Sequence, residues 1–159
     1  TPNYKDDKVR PNQIMAVSLS YPVIEGERAK CVVNKVYREL YTANGLRSLS
    51  PKCREYVGTY IGDQYRRDGA YHQGTVWAWP LGHFITAYLR VNNYSDKAKK
   101  DAMNFIESIK DHLKDACIGS ISEIFDGDEP LIPRGCYAQA WRVAEVLRAY
   151  IEEGLNKCY

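Results

Sequence analysis

The stretch "SDKAKKDAMNFIESIKDHLKDA", Ser95 to Ala116, decides the class of this chain. Ala98, Ala102, Phe105, Ile106, Ile109 and Leu113 recur at helical spacing, and the Lys, Asp and His residues between them read as a solvated face. Ser95 is placed to cap the first turn and Gly119 to stop the chain beyond the last.

Three more segments carry the same period. Glu25 to Thr42 places Ala29, Val32, Val33, Val36, Tyr37 and Leu40 on one face, with Asn44-Gly45 as its stop. Thr75 to Asn92 places Trp77, Leu81, Phe84, Ile85, Tyr88 and Leu89 together, with Pro80 near the first turn, where a missing N–H costs least. Gly135 to Glu153 differs in kind. Its polar residues Arg142, Glu145, Arg148 and Glu152 form one narrow stripe, so the rest of the helix expects cover from neighbours. A shorter helix from Pro11 carries Ile14 and Val17 inward. No strand-like alternation competes, and the expected class is all-α.

Between the helices lie two long irregular stretches, 46–73 and 118–134. Structureless connections beyond about 12–15 residues are uncommon in compact domains and are often functional. The first runs into "RRDGAYHQGTVWAWPLGHF", Arg66 to Phe84, where Tyr71, His72, Trp77 and Trp79 crowd around Gly74 and Thr75. Flat rings beside hydrogen-bonding tips suit a sugar, apolar on its faces and hydroxylated on its rim. Aromatics entering a helix equally serve as core, which is their usual role. The second stretch holds Glu123 among Ile121, Ile124 and Phe125. Such a carboxylate can act as a general base if it stays ionised and faces water, or can simply cap or pair.

The gross numbers narrow the partners. The 159 residues fit one domain, and 22 basic against 20 acidic side chains, interspersed, give no field for nucleic acid or anionic membrane. Five scattered cysteines without a C-x-x-C pair argue against a disulfide framework or a zinc site and for reduced thiols in the cytoplasm. The segment 126–130, "FDGDEP" with its preceding Phe, lacks the spacing of a calcium loop. Of the histidines, His112 reads as exposed on its helix, His83 as a wall residue and His72 as the one placed to touch a ligand. Arg47, Arg66, Arg67 and Arg134 could each clamp a ligand or pin loop carbonyls. No metal or cofactor is expected.

Four motifs in order then carry a resemblance: "VRPNQIMAVSL" (Val9 to Leu19), "GLRSLSP" (Gly45 to Pro51), "YHQGTVWAWPLG" (Tyr71 to Gly82) and "GSISEIFDGDEPLIPRGCYAQAWRVAEVLRAY" (Gly119 to Tyr150). Together they resemble the C-terminal part of the glycogen debranching enzyme family, the amylo-α-1,6-glucosidase module. The resemblance implies a glucoamylase-like (α/α)6 toroid and inverting hydrolysis of α-1,6-linked glucose at branch points of glycogen or limit dextrin. It puts Glu123 in the general-base position and Tyr71, His72, Trp77 and, with them, Trp79 against the sugar. The family's general acid lies upstream of the first motif, and four or five helices are less than half of a twelve-helix ring. The expectation is therefore a single segment, 1–159, that needs the remainder of its polypeptide and is inactive alone. An α-1,4 exo-hydrolase segment and a non-catalytic glucan-binding remnant are the alternatives.

Overall fold

The computed structural model describes residues 5–116 and 118–157. A 3-10 turn at Pro11–Ile14 leads into α1 (Met15–Ser18), followed by α2 (Gly26–Leu40), the strand β1 (Tyr41–Thr42) and β2 (Gly45–Arg47). Next come α3 (Gln64–Ala70), β3 (Val76–Trp77), α4 (Pro80–Val91) and α5 (Asp96–His112). The chain closes with β4 (Ile124–Phe125), β5 (Pro133–Arg134), α6 (Ala140–Glu152) and a 3-10 turn at Leu155–Lys157. The molecule is helix-rich, as the periodicity requires, and the Ser95 side chain caps α5 by accepting from the Ala98 amide.

Helix α4 is the hub. It packs against α1, α2, α5 and α6, and Leu81, Phe84, Ile85, Ala87 and Leu89 are fully buried along it. It is cut shorter than the sequence pattern, because Val76 and Trp77 are extended and Pro80 starts the helix at its first position. Gly82 lets α6 come close: a Cβ there would stand 2.5 Å from the Glu145 carbonyl oxygen. Ile14 and Val17 point into the same core.

The expectation of a chain without strands is corrected by a small antiparallel sheet of order β1-β2-β3-β4-β5. Its strands are two or three residues long, too short for a period of two to show. The register pairs Leu46 with Trp77, Trp77 with Ile124 and Ile124 with Arg134. Asn44-Gly45 is accordingly not a helix stop but the exit of the β1–β2 hairpin, where Thr42 faces Gly45. Gly45 has φ +141, and a Cβ would collide with the Trp77 carbonyl.

Three further expectations need correction. The stretch 46–73 is not wholly irregular, since Asp63 accepts from the Arg66 amide at 2.9 Å and caps α3. His112 is buried, not exposed. Its Nε2 accepts from the Ser122 amide at 3.1 Å and its ring meets Phe125 edge-on. The polar stripe of α6 turns inward: Arg142 is fully buried, and Arg148 pairs with Glu145 beside Thr86 of α4. Of the stripe, Glu152 stays exposed, and α6 also leaves Leu147 50% and Ile151 58% exposed.

Among the described residues, Cys31, Cys53 and Cys136 are free thiols, while Cys117 and Cys158 lie outside them. No described helix is long and apolar enough to cross a membrane.

Candidate active site

The sheet brings the two informative stretches side by side. Glu123 immediately precedes β4, and its amide donates to the Cys136 carbonyl at 2.7 Å, one residue beyond the position that the β4–β5 register would pair with it. On the other side, β4 pairs with β3, which carries Trp77. His112 fixes the same strand from below through Ser122.

The Glu123 carboxylate is half-buried and held by three neutral donors. Oε1 accepts from the Tyr71 hydroxyl and, at 3.2 Å, from the Gln139 amide; Oε2 accepts from the Cys136 amide at 2.8 Å. An ionised carboxylate offers about four acceptor positions, so one remains for a water. Burial pushes the carboxyl up, but the Tyr71 hydroxyl, the Cys136 amide, the Arg142 charge and Gln139 outweigh it and hold it below the ordinary carboxylate range. Tyr71 moves the opposite way: burial and the carboxylate beside it push the phenol up, so it stays a donor. Gly135 keeps this corner open, because at φ +68 a Cβ would stand 2.6 Å from Glu123 Oε2.

Around this carboxylate the aromatic side chains divide into two kinds. Trp77 is only 7% exposed, and its indole N–H is spent on the Tyr71 carbonyl (3.1 Å) and Thr75 Oγ1 (3.0 Å). His72 stacks on it at 4.6 Å, with planes 15° apart, and Tyr71 meets it edge-on at 4.9 Å. Burial and the Arg10 charge hold the His72 imidazole below its usual value, so it is neutral at pH 7. Trp79, by contrast, stacks on Trp141 at 5.0 Å, and Trp141 is 47% exposed.

These rings border an open cleft of about 320 Å³, lined by Arg10, Ser48, His72, Trp77, Trp79 and Trp141 with Pro11, Asn12 and Pro80. That volume lies at the small end of ligand pockets, and the lining is aromatic with a few polar groups. Glu123 does not itself line this cleft and adjoins it through Tyr71, which packs against both His72 and Trp77. Arg10 ties the cleft wall together by donating to the His72 carbonyl (2.7 Å), the Ser48 carbonyl (3.1 Å) and Gln73 (2.8 Å). The family description of amylo-alpha-1,6-glucosidase matches residues 1–148.

This chain belongs to the amylo-alpha-1,6-glucosidase family. It is a glycosidase-type segment of the debranching kind, and the glucan is the substrate class of its family. In this glucosidase segment Glu123, Tyr71, His72 and Trp77 are gathered within one network, and Trp79 borders the cleft beside them.

Sequence reasoning missed Arg10, Gln139, Trp141 and Arg142. The last three lie at the start of a helix whose polar residues read as its solvated side, so nothing in the pattern distinguished them. Of the loop arginines, Arg47 pins the Gly127 carbonyl at 2.8 Å, and Arg134 grips Asp126 at 3.0 and 3.2 Å. Two carboxylates of the 126–130 loop are likewise engaged, Asp126 by Arg134 and the Tyr60 amide and Asp128 by the Tyr56 hydroxyl. Among the described residues no group of three His, Cys, Asp or Glu side chains is gathered as a metal site would need.

Proposed function

We propose that this segment supplies the general base and part of the sugar pocket for inverting hydrolysis of α-1,6-linked glucose at glycogen branch points. Its helices would then be part of an (α/α)6 toroid. The observation that carries the reading is the Glu123 carboxylate, kept ionised by three donors with one acceptor position free and set beside an aromatic cleft. In an inverting mechanism a carboxylate deprotonates water on one face of the ring while a carboxylic acid protonates the leaving oxygen on the other. The two stand about 6.5–9.5 Å apart to admit the water.

Tyr71 holds Glu123 in place, His72 offers a neutral hydrogen-bonding edge, and Trp79 with Trp141 gives the sugar an apolar wall. The general acid, by the family resemblance, belongs to another part of the polypeptide, and the isolated chain is therefore expected to be inactive.

The test is Glu123→Gln in a polypeptide that also carries the acid. The expected outcome is unchanged folding and glucan affinity, with hydrolysis slowed about 10³-fold, the middle of the range for a lost general base. Near-normal turnover would remove Glu123 from the mechanism. Comparing isomaltose-type with maltose-type substrates then separates α-1,6 from α-1,4 specificity.

A further inference from the structure

Arg142 stands out by what its side chain lacks. It is fully buried, yet its Nη1 and Nη2 atoms have no hydrogen-bond partner among the described residues. The guanidinium carbon lies 4.9 Å from the Trp77 ring centre and 5.6 Å from that of Trp141, so two indoles flank it. Burial pulls the group down to about 10, which leaves it charged at neutral pH. A buried charge with two unmet forks is costly, and an apolar residue of the same length would fill the space with less penalty.

The one side-chain hydrogen bond that Arg142 makes among the described residues explains the arrangement. Its Nε donates to Gln139 Oε1 at 2.9 Å, and the Trp141 indole donates to the same oxygen. With the amide oxygen claimed by two donors, the Gln139 NH2 group must point the other way, and there it donates to Glu123 Oε1 at 3.2 Å. An Asn or Gln amide has one acceptor end and one donor end, so a cation at the first dictates what the second offers.

We propose that Arg142 is a positioning residue for Glu123: it sets the Gln139 amide so that a donor faces the carboxylate. This rests on Glu123 being the base, as proposed above. The charged and titratable groups facing that carboxylate are Tyr71 and His72 from the turn after α3 and Arg142 from α6, beside two neutral donors, the Cys136 amide and Gln139, from the segment after β5. All but Arg142 are common to the variants compared, so the difference isolates its contribution.

The experiment is a carbon-13 NMR titration of the Glu123 carboxyl in the whole chain, for the native protein, Arg142→Met and Arg142→Lys. Replacing the cation by Met is expected to raise the Glu123 midpoint by about one pH unit, a tenfold change in its proton affinity, and Lys is expected to recover part of it. A merely structural Arg142 would lower Tm and leave the midpoint unmoved, and that result overturns the proposal. Should Arg142→Met fail to fold, Arg142→Gln removes the cation and leaves a polar side chain in its place. A rise in the midpoint then supports the proposal and no rise overturns it. The acid limb of kcat/KM, measured in a polypeptide that carries the acid, separates the two readings. If the carboxyl midpoint moves and the limb does not, Arg142 acts on Glu123 but Glu123 is not the base.

Discussion

Helix α4 carries one aromatic cluster along its body and another at its entrance, and the two are built alike but finished differently. Along the body, Tyr37, Tyr41, Phe84, Tyr88 and Phe105 pack with ring centres 4.9–6.4 Å apart. The Tyr88 hydroxyl donates to Asp101 at 2.8 Å, Phe84 is fully buried, and Tyr41, Tyr88 and Phe105 lie in or against the core, with Tyr37 at its exposed edge. At the entrance, His72, Trp77, Trp79 and Trp141 line a cleft, and Tyr71 behind them joins it to a carboxylate with one acceptor position open, beside an incompletely bonded guanidinium. Aromatic density therefore does not separate a core from a site. The separation comes from polar capacity left unspent, which is costly inside a protein and is retained where something else uses it.

Substitutions in the two clusters should break in different ways. The largest expected effect is Phe84→Ala, which removes a fully buried ring from the body cluster. It should cost about 3–5 kcal/mol of stability in denaturant unfolding. Any bound glucan should be held with unchanged affinity in the fraction that remains folded. A loss of only 1 kcal/mol would show that the body cluster collapses around the gap.

Next is Tyr71→Phe at the entrance. Losing a hydrogen bond to a charged group is worth about 1.5–3 kcal/mol, and here it should appear in the titration of the carboxylate as well as in stability at neutral pH. The sign follows from the direction of the shift. Glu123 lies below its ordinary range in the folded chain, so it is ionised above that point and the base is lost as pH falls through it. Without the Tyr71 donor the point moves up toward about 4.3, and the acid limb of kcat/KM moves up with it. An acid limb that stays in place would mean that the carboxyl group answers to its other donors alone.

The smallest expected effect is Tyr88→Phe, the same change made in the body cluster. Its partner Asp101 also bonds Lys97, so the cost should be about 0.5–1.5 kcal/mol, with no change in the pH profile. Equal consequences for Tyr71→Phe and Tyr88→Phe in both readouts would erase the distinction between the clusters.

The helices were legible because their apolar faces repeat over many turns. Helix α5 was expected over 95–116 and runs over Asp96–His112, and α2 was expected over 25–42 and runs over Gly26–Leu40. The sheet was not legible, since a strand of two residues has no period and its partners are remote in sequence. The juxtaposition of the Tyr71 and Glu123 stretches was inferred from resemblance, whereas its physical cause, the β3–β4 pairing, is invisible along the chain. His112 and Arg142 were misread for one shared reason. A charged or polar residue on an amphipathic helix normally faces solvent, and only the neighbours that cover it reveal otherwise.

The small sheet also bears on the order in which this molecule acquires its properties. Residues 48–75 lie between β2 and β3, and residues 78–123 between β3 and β4, so each pairing closes a long loop before it gains anything. Helices need only their own neighbours and form early. A refolding chain should thus show most of its helical circular dichroism well before Tyr71 reaches Glu123. For that interval it would be a helical body with its sugar-facing corner still unassembled, and an assay of secondary structure alone would score it as finished.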